Sequence, residues 1–178
     1  MTIDLLFTNA CVYNVFLKEW FIEDVAVHKG KILYTGDSQT ASIQGEVTID
    51  CEKKPLIPGL IDIHLHIESS FCTPVEFSHA VLRRGVTTVV ADPHEIANVS
   101  GLAGIEEMIR LSRAAAIDIF YAIPSSVPST RPELESTGGM ITPEDVARLL
   151  ERYPEVICLG EVMDFHGLIN GTARKTQR

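Results

Sequence analysis

The sequence predicts an α/β fold in which the first half of a parallel (β/α)8 barrel follows a small all-β module. Three observations predict it. Residues 1–55 hold short strand-like runs separated by turn residues, residues 56–170 alternate strand and helix patterns, and the first strand of that alternation ends in His64-Leu65-His66. Strands alternating with helices fold as a parallel sheet with right-handed crossovers. A closed barrel takes about 250 residues, so the alternation here amounts to about half of one.

In the first module the expected strands are Leu5-Leu6-Phe7, Cys11-Val12-Tyr13, Asp24 to Val27, Lys31 to Tyr34 and Val47 to Asp50. Lys29-Gly30 supplies the positive-φ turn of a hairpin between Val25 and Leu33. His28 beside it reads as an exposed loop histidine.

The run from Leu56 to Glu68 reads as a buried strand opened by Pro58-Gly59. Thr73-Pro74-Val75-Glu76 is a capping box that starts a helix running to the stop at Gly85. Thr87 to Ala91 is the second strand, followed by Asp92-Pro93-His94-Glu95 and a helix from about Ser100 to Ser112. Ile117 to Ile123 is the third strand, and residues 124–140 form a long loop rich in Pro, Ser, Thr and Gly. Thr142-Pro143-Glu144-Asp145 caps the next helix, and Glu155 to Val162 is the fourth strand. Residues 171–178 read as an irregular basic tail, which makes the expected organisation 1–55, 56–170 and 171–178.

Successive side chains of a strand point to opposite faces, so His64 and His66 share one face and aim at one point. That point lies at the C-terminal end of the strand, where barrels build their sites. The second strand ends with Asp92, His94 and Glu95, and the fourth with Glu161, followed by Asp164 and His166. Imidazole together with carboxylate suits Zn, Mn or Fe, and a carboxylate bridges two cations. His79, inside the first barrel helix, reads as an ordinary helix-surface histidine.

Composition excludes other classes. The 178 residues carry a formal net charge of -9, without the basic patch that nucleic-acid binding needs. No apolar run approaches the ~20 residues of a membrane span, and the four cysteines form no C-x-x-C pair. These features point to reduced thiols and a cytoplasmic protein. His66-Ile67-Glu68 fits half of the cytidine-deaminase zinc signature, but the P-C-x-x-C half has no counterpart.

The segment Pro58-Gly59-Leu60-Ile61-Asp62-Ile63-His64-Leu65-His66 resembles the metal signature of the amidohydrolase superfamily. Four further runs narrow the resemblance to the bacterial adenine deaminases: Ile67-Glu68-Ser69-Ser70, Ala91 to Val99, Pro124-Ser125-Ser126-Val127-Pro128-Ser129-Thr130 and Gly160-Glu161-Val162-Met163. The resemblance implies a β-sandwich plus a barrel, a homo-oligomer, two divalent metal ions (Mn, Fe or Zn) and hydrolysis of adenine to hypoxanthine and ammonia in purine salvage. It implies His64, His66 and Glu161 as metal ligands, with Glu161 bridging, and it places Glu161, Asp92, His94 and Glu95 among the catalytic residues. It also implies ligands from later strands and a proton-shuttling aspartate that this chain does not contain. The chain alone is therefore expected to be inactive on adenine. A related sugar-phosphate deacetylase and a non-catalytic metal-binding remnant are the alternatives.

Overall fold

The computed structural model describes residues 1–130 and 133–172. It divides into two compact units, Met1–Pro58 and Gly59–Arg178. From Ala173 on, the expected tail lies outside the described residues, as do Arg131 and Pro132 of the long loop.

In the first unit β1 (Thr2–Asn14), β2 (Glu19–His28), β3 (Lys31–Gly36), β4 (Gln44–Asp50) and β5 (Pro55–Leu56) form one mixed sheet. Of the expected sandwich, the described residues form this one sheet. The two short strands expected around Leu6 and Val12 are the single strand β1, whose register with β2 shifts between Phe7 and Ala10. Asn9 takes a φ of 54° there and donates its N–H to Asp24 Oδ1 at 2.8 Å. Asparagine tolerates the left-handed region, so the polar Thr8-Asn9 pair forms a bulge and the strand continues.

Lys29 and Gly30, with φ of 51° and 72°, make the two-residue hairpin turn between β2 and β3. His28 ends β2 instead of lying in the loop, and its Nδ1 sits 2.9 Å from Asp4 Oδ1. Ile3, Leu6 and Ala26 are buried together, with Tyr34 and Ile43 partly buried against them, and Ala10 and Val25 of the same sheet are buried as well.

The second unit is a parallel sheet of β6 (Leu60–Leu65), β7 (Val86–Ala91), β8 (Asp118–Ile123) and β9 (Val156–Leu159), in that spatial order. Each strand pairs with its successor in sequence, as a singly wound barrel requires. Helices α1 (Pro74–Leu82), α2 (His94–Ser112) and α3 (Pro143–Arg152) make the crossovers. Ile105 and Ile109 of α2, Val89 of β7, Ile119 and Ile123 of β8 and Leu149 of α3 form one buried cluster. Thr142 closes the expected capping box with Asp145 on α3, whereas Thr73 accepts only the Glu76 N–H on α1.

Three expectations change. The helical run α2 begins at His94, earlier than the expected start near Ser100, but the non-helical Gly101 (φ 59°, ψ -143°) divides it, so a second helical segment follows that glycine close to the expected start. His94 and Glu95 therefore stand in its first turn. Strand β6 is exposed rather than buried, with Ile61 63% and Ile63 77% accessible, because among the described residues it is an edge strand that pairs only with β7. Strand β9 ends at Leu159, so Glu161 lies beyond the ladder, before a short helix α4 (Phe165–Ile169).

Ile109 is fully buried in the cluster, and Leu150 is 43% exposed on α3. Ile109→Ala is expected to cost about 2–5 kcal/mol in urea unfolding, and Leu150→Ala about 0.5 kcal/mol or less. Equal costs would show that this cluster is not the core.

Candidate metal centre

The parallel register brings the C-terminal strand ends to one side. The Asp92 N–H donates to the Leu65 carbonyl at 2.8 Å, which extends the β6–β7 pairing past the last ladder residue. The Asp92 carbonyl in turn lies 2.8 Å from His66 Nδ1. A carbonyl only accepts, so Nδ1 carries the proton and Nε2 is left with its lone pair. His66 Nε2 stands 3.4 Å from Glu161 Oε1, and His64 Nε2 stands 3.5 Å from the same oxygen. The two imidazoles meet edge to face with centroids 5.2 Å apart.

Separations of 3.4 and 3.5 Å are too long for a good N–H···O bond. They match a shared cation instead, because bonds of about 2.1 Å at tetrahedral angles hold donor atoms about 3.4 Å apart. All three donor atoms lie within 4.8 Å of one another. Two imidazoles and one carboxylate form a donor set that zinc enzymes use while keeping an open position.

The surroundings are anionic. Glu95 Oε2 lies 3.2 Å from His66 Nδ1, and Glu95 Oε1 accepts from Ser69 Oγ at 2.6 Å. Burial pulls the His66 imidazole down, but Glu95, the Asp92 carbonyl and the Asp92 and Glu68 carboxylates outweigh it and leave it raised. Glu95 also starts from burial, which raises it, and the Ser69 hydroxyl, its own amide and the two histidines bring it below the usual range. Burial pushes both Glu68 and Asp92 up. Glu68 and Asp92 each keep one buried oxygen without a hydrogen-bond partner, whereas the buried Glu95 Oε2 faces His66 Nδ1. Buried acceptors left unpaired cost about 1–3 kcal/mol each, and a cation nearby offsets that cost.

Asp92 is fully buried, and its Oδ2 is 3.4 Å from the Glu161 N–H. A Cβ on Gly160 would fall 2.0 Å from that oxygen, so only glycine lets the two chains approach this closely. Ser125 Oγ donates to the Glu161 carbonyl at 2.6 Å. His94 is 6% exposed, and its Nε2 lies 2.6 Å from Ser129 Oγ, tying the long loop to α2. Within that loop Glu135 accepts from the backbone N–H groups of Ser129 and Thr130.

Of the residues singled out in the sequence, His64, His66 and Glu161 converge, and Glu95 and Asp92 flank His66. His94 faces the loop. Asp164 caps α4 through the Gly167 N–H at 2.9 Å, and neither Asp164 nor His166 joins the donor group. His79 is exposed on α1. Sequence reasoning passed over Ser125 and Gly160. A glycine at the end of an apolar strand run is a sign of close backbone approach, and Ser125 had no signal apart from its place in a motif.

A model described as the amidohydrolase family matches residues 56–166. The adenine deaminase of Clostridium perfringens (strain ATCC 13124) is 54% identical over 169 residues, covering 95% of this chain and 29% of that protein. Adenine deaminase 2 of Shouchella clausii (strain KSM-K16) is 46% identical over 179 residues, covering 100% of this chain and 31% of that protein. The chain thus spans less than a third of the length of these relatives. Among solved structures, the zinc complex of atrazine chlorohydrolase TrzN from Arthrobacter aurescens TC1 superposes with a TM-score of 0.64 at 17% identity, over 96% of this chain and 50% of that one. D-hydantoinase from Thermus sp. superposes with a TM-score of 0.56 at 19% identity, over 94% of this chain and 44% of that one. These two likenesses are likenesses of fold, the α/β barrel architecture. With the family model spanning most of the chain and the strand order of half a barrel in place, the chain belongs to the amidohydrolase family.

Proposed function

We propose that this chain is part of a metal-dependent adenine deaminase, which hydrolyses adenine to hypoxanthine and ammonia in purine salvage. The observation that carries the reading is the convergence of His64 Nε2, His66 Nε2 and Glu161 Oε1 at the strand ends, with 3.4 and 3.5 Å spacings. Its support from relatives is the 54% identity to an adenine deaminase over 95% of this chain.

In this reading His64, His66 and Glu161 would hold divalent cations, Mn, Fe or Zn, with Glu161 as the ligand that would be shared. Such cations supply Lewis acidity and a water of lowered pKa. The chain's own residues do the positioning. The Asp92 carbonyl fixes the His66 tautomer, and Glu95 beside the same Nδ1 raises the basicity of that imidazole. His94 pins the loop through Ser129, and that loop forms part of the wall against which a purine sits. Asp92, His94 and Glu95 thus act through the donors and the loop. The proton relay to the leaving amine needs a group these residues do not provide.

Glu161→Gln is expected to lower zinc affinity at least about 10-fold, because an amide gives up the charge that offsets the cation. His79→Ala is expected to leave it unchanged. Competition with a chromophoric chelator measures both, and zinc loss on His79→Ala or retention on Glu161→Gln would place the site elsewhere. To test the substrate, residues 1–172 replace the matching part of the Clostridium perfringens enzyme and ammonia release from adenine is followed. The chimera is expected to turn over, with Glu161→Gln losing about 10²-fold or more. A chimera that is folded and metal-loaded yet inactive on adenine would contradict the assignment.

A further inference from the structure

Glu161 lies outside regular structure. Strand β9 stops at Leu159, and helix α4 begins at Phe165. A side chain that must present one oxygen to two imidazoles therefore stands on a backbone that no ladder holds. Gly160 makes the last sheet-like bond, its N–H donating to the Ile123 carbonyl at 2.7 Å. From there the Glu161 residue is gripped by side chains. Its N–H faces the buried Asp92 carboxylate at 3.4 Å, and its carbonyl accepts the Ser125 hydroxyl at 2.6 Å.

The two contacts differ in quality. At 3.4 Å the Asp92 contact is a weak hydrogen bond, while 2.6 Å is short for a hydroxyl donor. Asp92 acts chiefly as a wall against Gly160, since its Oδ2 occupies the space a Cβ would need. Ser125 supplies the directional restraint. It comes from the residues just after β8, the strand paired with β9, so it follows the sheet that sets the positions of the other donors.

We propose that Ser125 is a positioning residue for the metal centre, whose hydroxyl holds the Glu161 carbonyl and so aims the Glu161 carboxylate at His64 and His66. The inference rests on the reading of those three residues as metal ligands. It assigns Ser125 no contact with substrate or metal. Hydrogen-bonding partners behind metal ligands affect metal affinity by about 10–100-fold, because they hold the donor in the bound geometry before the cation arrives.

The test is made on the 178-residue chain with zinc alone. Zinc affinity is read by chelator competition, and the urea midpoint is read in parallel. Ser125→Ala is expected to weaken zinc binding about 10-fold while moving the urea midpoint little, and Ser125→Thr, which keeps the hydroxyl, is expected to retain native affinity. Ser125→Val against Ser125→Thr exchanges a methyl for a hydroxyl at constant shape. That pair carries the comparison if the alanine variant loses the fold. Native affinity in Ser125→Ala or Ser125→Val, with Glu161→Gln impaired in the same assay, overturns the positioning role alone. Native affinity in Glu161→Gln overturns the ligand reading beneath it.

Discussion

The centre depends on a single buried residue at the end of β7. Asp92 gives its carbonyl to His66 Nδ1, gives its amide to the Leu65 carbonyl, and presses its carboxylate against the Gly160–Glu161 peptide. Its backbone therefore extends the β6–β7 pairing and orients one imidazole. Its side chain sets how near the third donor can come. A residue with neither exposure nor a contact to solvent thus couples strand pairing to donor geometry.

That arrangement is costly without a cation. Asp92 is fully buried and keeps one oxygen unpartnered, and Glu68 adds another. Burying acceptors in this way opposes folding, and burial accordingly raises the carboxyls of Asp92 and Glu68. The cost is offset when positive charge sits among them. The same carboxylates raise the His66 imidazole. Clusters of this kind persist where the charge they accommodate is functional.

The fold was legible where period and punctuation were strong. The apolar runs of β7 and β8, the caps Thr73 and Thr142, and the Lys29-Gly30 turn all stand within a residue or two of their expected places, while β6 is shorter than the strand expected over the run Leu56 to Glu68. Legibility failed where one residue carries two meanings. Thr8-Asn9 is polar enough to end a strand but bulges within β1, and a separate helical segment from His94 precedes the break at Gly101 near which a helix start was expected. The approach of His64 and His66 could be read from the sequence because a His-x-His at a strand end has a face. The contacts that aim Glu161 could not be, since the Ser125–Glu161 and Asp92–Glu161 pairs are 36 and 69 residues apart and arise only from the parallel register.

The central claim is that His64, His66 and Glu161 hold one cation together, and X-ray absorption at the zinc edge of the zinc-loaded chain tests it most directly. The account predicts a first shell of nitrogen and oxygen at about 2.0–2.2 Å, with multiple scattering from two imidazoles that falls to one in His64→Ala. A shell containing sulfur at about 2.3 Å, or imidazole scattering unchanged by His64→Ala, would contradict it.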